Sequence, residues 1–336
     1  MPLPSHILIV GSGSVGKRHA RNLRTLGCDV SCMDPRADRL DELAAEGPVR
    51  GKFTTLEQAL SAGGLQGVVI GSPPSVHVEQ TKAALAAGLP VLLEKPVSPR
   101  LADALDLRGA AQSAKAPLLL GYTWRWWPPL DRVRTLLSEE VVGPLRHVRF
   151  VMSAHLADWH PWERYQDFFM ASTAQGGGAL LDESHWVDLA CWMFGMPRSV
   201  LARVDRLSDL EIETDDCVDM MLEYPGRLRI SLHLDLFGRP HEKSITFVGE
   251  KGSMVWSADP NRITIGSSAA GWERVEDFTC ERNDMFVAVA RDFLDMLSGA
   301  KPQRCTLEDG IRVLTVLEAA RQSSSEGRVI RLGEAE

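Results

Sequence analysis

The sequence predicts an α/β chain of two domains, an N-terminal doubly wound parallel sheet and a C-terminal α/β domain with a large, open, mainly antiparallel sheet. Three observations predict it. The length of 336 residues is long for one α/β domain and comfortable for two. Over the first third, short apolar runs alternate with amphipathic stretches, the pattern of βαβ units whose strands are buried on both faces. After Tyr122 the pattern changes to longer segments of alternating apolar and polar residues, which marks strands with one buried face.

Taken in order, residues 6–10 read as a strand and 15–26 as a helix, then 29–33 as a strand and 37–45 as a charged helix. The Val and Ile run 67–70 is a strand and 75–87 a helix, followed by a strand over 91–93, a helix over 100–113 and a strand over 117–120. Beyond the boundary, 145–154, 200–207, 218–224, 228–236 and 244–248 read as strands of an antiparallel meander. Turns such as Tyr224-Pro225-Gly226 and Gly249-Glu250-Lys251-Gly252 separate them. Helices are expected over 179–194, 284–297 and 307–323, then a polar turn over 323–327 into a last strand over 328–332. The domains are therefore 1–122 and 123–336.

Hydrophobic residues make up 44% and charged residues 24%, which suits a packed core. The net charge of −8 argues against a broad electrostatic grip on nucleic acid or an anionic membrane, though a local basic pocket for a phosphate remains open. The six cysteines form no CxxC and no His-rich cluster, so they read as reduced packing thiols, with no metal. No basic segment precedes a long apolar stretch at the start, and no apolar run is long enough to span a bilayer. The expectation is a cytoplasmic protein.

Gly11-Ser12-Gly13-Ser14-Val15-Gly16 follows the first strand and opens the first helix. Its first glycine permits a tight turn, its second lets backbone N–H groups approach a pyrophosphate, and its third packs helix on strand. The second strand ends at Asp34, near the spacing of an acid that binds the adenosine ribose. The pattern is that of a Rossmann domain, with Gly11, Ser12, Gly13, Ser14 and Val15 at the cofactor. Asp34 would repel a 2′-phosphate, which favours NAD over NADP. Arg36 can act as a phosphate clamp, or be solvated or stacked on adenine. Ser72 and Pro73 follow the 67–70 strand at its carboxyl end, where ligands sit in such sheets. His77 can reach the same loop, and its plainer reading is a helix-packing residue, as for His19.

At Glu94-Lys95-Pro96 the chain resembles the Gfo/Idh/MocA family of oxidoreductases. Gly121-Tyr122-Thr123-Trp124-Arg125-Trp126-Trp127-Pro128 is similar to a second family segment, and Asp158-Trp159-His160-Pro161 with Tyr165 to a loop of one branch. The run from Gly176 to His185 is similar to the glycine-led catalytic helix, and the helix 306–320 also matches. The resemblance implies hydride transfer between nicotinamide and a secondary alcohol, usually of a sugar, cyclitol or nucleotide sugar. It implies that Glu94 lies at the cofactor, that Lys95 bonds the reacting oxygen, that the peptide before Pro96 is cis and that His185 is the acid/base. It also implies homodimers or homotetramers through the open face of the C-terminal sheet. Many members carry Asp-x-x-x-His; here the spacing is Asp182-Glu183-Ser184-His185, which leaves the role of Asp182 open.

Chemistry points to the same residues. The base must touch the hydroxyl while the carbon faces the ring. Lys95 ends a sheet strand and can stabilise alkoxide charge; its alternative is a surface ion pair. Asp182 and His185, three apart on the expected helix, would share a face in its first turns, where the dipole favours a neutral imidazole. Their alternatives are a helix-stabilising carboxylate and a core histidine. Trp124, Trp126, Trp127, Trp159 and Trp162 cluster in sequence and suit the C–H faces of a ring substrate, with at least two expected in plain core. Tyr122, Arg125, Trp126, Trp159, His160 and Tyr165 are the substrate candidates beside Lys95, Asp182 and His185. The rival readings are reduction of a non-sugar carbonyl or imine, and a non-catalytic dinucleotide-binding regulator.

Overall fold

The structure, a computed structural model, describes residues 5–159, 161, 163–267, 271–301 and 304–333. His160 and Trp162 lie outside the described residues. The chain divides into two compact units, one of Met1–Trp126 with Arg282–Ile311, the other of Trp127–Glu281 with Arg312–Glu336. The segment from 282 to 311 therefore belongs with the N-terminal unit, where the sequence reading had placed it in the second domain.

In the first unit β1 (His6–Val10), α1 (Ser14–Thr25), β2 (Asp29–Met33), α2 (Ala37–Ala45), β3 (Lys52–Phe53), α3 (Leu56–Ser61), β4 (Gly67–Ile70), α4 (His77–Ala86), β5 (Val91–Glu94), α5 (Leu101–Ser113) and β6 (Leu118–Gly121) follow one another. The six strands are parallel in the order β3-β2-β1-β4-β5-β6. Every residue of β4, β5 and β6 is buried, which is why these strands read as unbroken apolar runs. Strand order reverses between β1 and β4, so the loops leaving their carboxyl ends diverge and open a crevice.

The second unit runs through α6 (Pro128–Ser138), β7 (Leu145–Ser153), α7 (Ala179–Asp182), α8 (Ser184–Phe194), β8 (Ser199–Asp205), β9 (Cys217–Glu223), β10 (Arg229–Asp235), β11 (Glu242–Gly249), β12 (Ser253–Ala258), β13 (Asn261–Gly266) and β14 (Arg274–Asp277). Next comes α9 (Arg282–Leu297), which packs in the first unit: its Phe293 fills the space a side chain at Gly67 would need, and its Phe286 meets His19 edge-on. Last are α10 (Leu307–Glu326) and β15 (Ile330–Arg331). The nine-stranded sheet is ordered β14-β13-β12-β11-β7-β10-β9-β8-β15 and is antiparallel except for the parallel pair β7 and β10. Alternate residues of β9 are buried, and the buried face packs around Trp186 of α8, which meets Phe150 and Trp256.

Two local expectations change. The polar stretch after 323 is helix, not turn: Ser323 and Ser324 accept the N–H groups of Ala202 and Val204, tying α10 to β8. The single helix over 179–194 is two, broken at Glu183, where ψ is 15°. Among the described residues no helix is long and apolar enough to cross a membrane.

On the outer face of this sheet Cys217, Asp219 and His233 bring their polar atoms within 4.8 Å, a grouping that linear spacing does not show. His233 is engaged on both sides, Nδ1 at 2.8 Å from Asp219 and Nε2 at 3.1 Å from Asp235. The hydrogen bond to Asp235, with that to Asp219 and both negative charges, outweighs burial and pushes its imidazole up to about 9. A cation held above its unfolded value of about 6.5 stabilises the fold fully below that value, and the contribution is lost as pH rises through about 9. The melting temperature of the wild type is therefore expected to carry a decline across this window that His233→Gln lacks, read by scanning from pH 6 to 10. Equal profiles would show that the ring carries no such charge.

Candidate active site

The glycine loop lies at the crevice, and its three glycines have different reasons. Gly11 has φ +87°, and a Cβ there would meet Ser72 N at 2.6 Å. At Gly16 a Cβ would lie 1.8 Å from the Gly11 carbonyl oxygen. These two are required by the fold itself. Gly13 is not: its φ is −73°, and a Cβ would meet only Arg39 Nη1, at 3.8 Å. Gly13 is partly exposed, and α1 begins there without a side-chain cap. First-turn amides have no acceptor within a helix, so Ser14 and Val15 present N–H groups to an anion at that point. The residues present fit a dinucleotide pyrophosphate.

Asp34 is buried at the end of β2, and its carboxylate accepts from Ser12 N at 2.8 Å and Arg36 N at 2.9 Å. The amide of Ser12 thus anchors the acid beside the glycine loop, while its own side chain is buried. The Arg36 guanidinium is exposed and pairs with Asp38, at 2.5 and 3.2 Å.

Across the crevice, Ser72 Oγ donates to Gln80 at 2.5 Å, and Pro73 is partly exposed beside it. His77 is buried with Nε2 at 2.8 Å from the Ser72 carbonyl and Nδ1 at 2.8 Å from the Pro96 carbonyl. Burial pushes its imidazole below the ordinary value. A neutral ring carries one N–H, so it donates to one of these carbonyls and lies packed against the other, between the two loops. Glu94, at the end of β5, receives the Lys95 N–H at 3.3 Å and faces His19 Nε2 at 2.7 Å. The Lys95–Pro96 peptide is cis, and Lys95 is partly exposed.

The segment after β6 is mostly packing. Tyr122 is fully buried. Arg125 is buried against Asp309 at 3.4 Å and donates to the Arg304 carbonyl at 2.8 Å. Burial opposes ionisation of Asp309, yet the Arg125 charge and the Thr306 hydrogen bonds hold its carboxyl below the usual range. Trp126 is buried and donates to Asp292 of α9 at 2.7 Å, and Trp127 is buried as well. Two of the five tryptophans are thus core, while Trp124 and Trp159 stay partly exposed. Trp159 follows Asp158, which Arg239 holds through two bonds of 2.7 Å, and the Tyr165 hydroxyl accepts from Glu211 N at 3.3 Å.

In the second unit Asp182 closes α7 and is buried, and His185 is the second residue of α8, half-buried. The break at Glu183 puts them on consecutive helices, Asp182 at the end of α7 and His185 near the start of α8. His185 lies in the first turn of α8. Glu183 is buried and bonds the Trp186 indole at 3.1 Å, and Asp188 is buried. The linear reading missed Asp215. Its carboxylate takes the Leu180 N–H at 2.7 Å, capping α7, and a Cβ at Gly178 would lie 2.4 Å from it. The left-handed φ of +107° at Gly178 and the tight fit of Gly177 on the Met170 carbonyl explain the glycine run as a support for this pair of helices.

A dinucleotide cradle at the switch point of a parallel sheet, an anchored acid at the end of its second strand and a lysine at the end of its fifth define a nicotinamide-dependent oxidoreductase. A family model described as an NAD-binding Rossmann fold of oxidoreductases matches residues 5–122, and the GFO/IDH/MocA C-terminal domain matches 130–255. The chain belongs to the Gfo/Idh/MocA family. An uncharacterised oxidoreductase of Synechocystis sp. is 28% identical over 66% of this chain and 62% of its own length. The scyllo-inositol 2-dehydrogenase (NADP(+)) IolW of Bacillus subtilis is 24% identical over 88% of this chain and 86% of its own. GenD2 from gentamicin A biosynthesis, solved in complex with NAD, is 25% identical and superposes with a TM-score of 0.84 over 99% of this chain and 97% of GenD2.

Proposed function

We propose that the chain is a cytoplasmic, NAD-preferring dehydrogenase of a secondary alcohol on a carbohydrate-like ring, a sugar, cyclitol or nucleotide sugar, working as a homodimer or homotetramer. The observation that carries this reading is Lys95, partly exposed on a cis-proline turn at the carboxyl end of β5, in the sheet whose crevice fits the dinucleotide. When bound, nicotinamide supplies the hydride acceptor. Lys95 holds the reacting oxygen and stabilises alkoxide charge. His185 takes the proton, and Asp182 assists it or binds substrate. Among the described residues of the tryptophan cluster, Trp124 and Trp159 are partly exposed and are the indoles offered to a ring. Kinship with an inositol dehydrogenase supports the polyol class, and the exposed Leu201 and Met221 on the outer sheet face support self-association there. A panel of sugars, cyclitols, uronates and nucleotide sugars is expected to give cofactor turnover with at least one; turnover with simple ketones or imines alone would refute the ring reading.

The preference for NAD rests on Asp34, against the NADP linkage of IolW. NAD(H) is expected to quench fluorescence with the lower dissociation constant, and Asp34→Ser is expected to narrow the gap. Equal or tighter NADP(H) binding would instead assign Arg36 as a phosphate clamp.

A further inference from the structure

We propose that two buried histidines, His19 and His77, are positioning residues for Lys95, fixing the Glu94-Lys95-Pro96 turn from its two ends and tying it to the loops that border the dinucleotide. The inference rests on the catalytic reading of Lys95 given above. A lysine side chain has four rotatable bonds, so its ammonium is placed well only if its backbone is held.

On one side the anchor is Glu94. Glu94 is only 7% exposed, and a buried polar group needs a hydrogen-bond partner. The partner is His19, whose Nε2 lies 2.7 Å from Oε1; Oε2 then receives the Lys95 N–H at 3.3 Å. Gly121 of β6 leaves the room, since a Cβ there would press on the Glu94 carboxylate at 3.2 Å. His19 is fully buried on α1, the helix that opens at the glycine loop.

On the other side the Pro96 carbonyl lies 2.8 Å from His77 Nδ1, and Nε2 of the same ring lies 2.8 Å from the Ser72 carbonyl in the loop after β4. The His77 ring thus lies between the lysine turn and the loop after β4, its single neutral N–H donating to one of the two carbonyls, and His19 links the turn to α1. Neither ring needs to touch substrate or cofactor to act.

The test compares amides of different reach. Gln at 19 or 77 can still bridge, whereas Asn is polar but too short. Four variants, His19→Asn, His19→Gln, His77→Asn and His77→Gln, are assayed for kcat, KM, NAD affinity and melting temperature. Leu23→Ala, on the same helix and buried, serves as a destabilised control. A second readout is independent of turnover: the ¹³C NMR signal of Lys95 after reductive ¹³C-methylation, assigned with Lys95→Arg. The Asn variants are expected to lose about 10- to 100-fold in kcat, the scale of a small misplacement, with NAD affinity within a few-fold and a shifted Lys95 signal. The Gln variants are expected to recover most of both. Losses that track melting temperature as in Leu23→Ala, or an unmoved Lys95 signal, would overturn the proposal. If Lys95→Ala keeps full turnover, the catalytic reading fails, and the Lys95 signal alone still decides whether the histidines position it.

Discussion

Replacing Lys95 or His185 with alanine is expected to leave NAD affinity within a few-fold and to lower turnover by on the order of 10²–10⁴. The two residues come from different units, β5 in one and the first turn of α8 in the other, and neither belongs to the glycine loop. Stopped-flow hydride transfer with saturating substrate separates this loss from a loss of binding. The rate of alcohol oxidation should also rise with pH, because an imidazole must be neutral to accept a proton. That limb should vanish in His185→Ala. Asp182→Ala should fall less, or act on substrate KM, since Asp182 closes α7 while His185 opens α8. Near-normal turnover and an unchanged pH profile in His185→Ala would move the proton acceptor elsewhere, with Tyr165 and His160 next to test.

Gly13→Ala is expected to fold as the wild type does and to weaken NAD binding by on the order of 10- to 100-fold, the cost of one or two charge-assisted hydrogen bonds to a phosphate. The backbone at Gly13 is ordinary for an L-residue, and the protein offers the new methyl nothing nearer than Arg39 Nη1 at 3.8 Å. Gly16→Ala is the counterpart: its methyl would fall 1.8 Å from the Gly11 oxygen, so this variant should lose melting temperature before any question of affinity arises. Calorimetry and titration of the two variants together test the cradle. If Gly13→Ala binds NAD as tightly as the wild type, the pyrophosphate does not approach there.

The parallel half was legible because its signals are local. Buried strands are continuous apolar runs, and the glycine loop and Asp34 stand at fixed spacings along the chain. What escaped was non-local or too short to show a period. Strand β3 has two residues, and α3 has six. The strands β12 to β14 and the helix α6 were not read as elements, and the parallel pairing of β10 with β7 depends on where distant strands meet. No glycine or proline marks the break at Glu183. His19 looked like helix packing because Glu94 lies 75 positions away. Arg125 and Trp126 looked like substrate contacts, and the structure commits them to Asp309, Arg304 and Asp292, which a motif does not name. Asp215 carried no signal of its own; the nearest clue was a glycine at 178 that a positive φ demands.

The return of α9 to the first unit has a consequence for how the protein is made. All six strands of the parallel sheet leave the ribosome more than 150 residues before α9 is complete. Throughout that interval the bare backbone at Gly67 lacks Phe293, and the His19 ring lacks Phe286. The nucleotide-binding half is therefore not a cassette that ends at Trp126. A graft or a truncation cut there leaves behind its own last helix, residues 282–297.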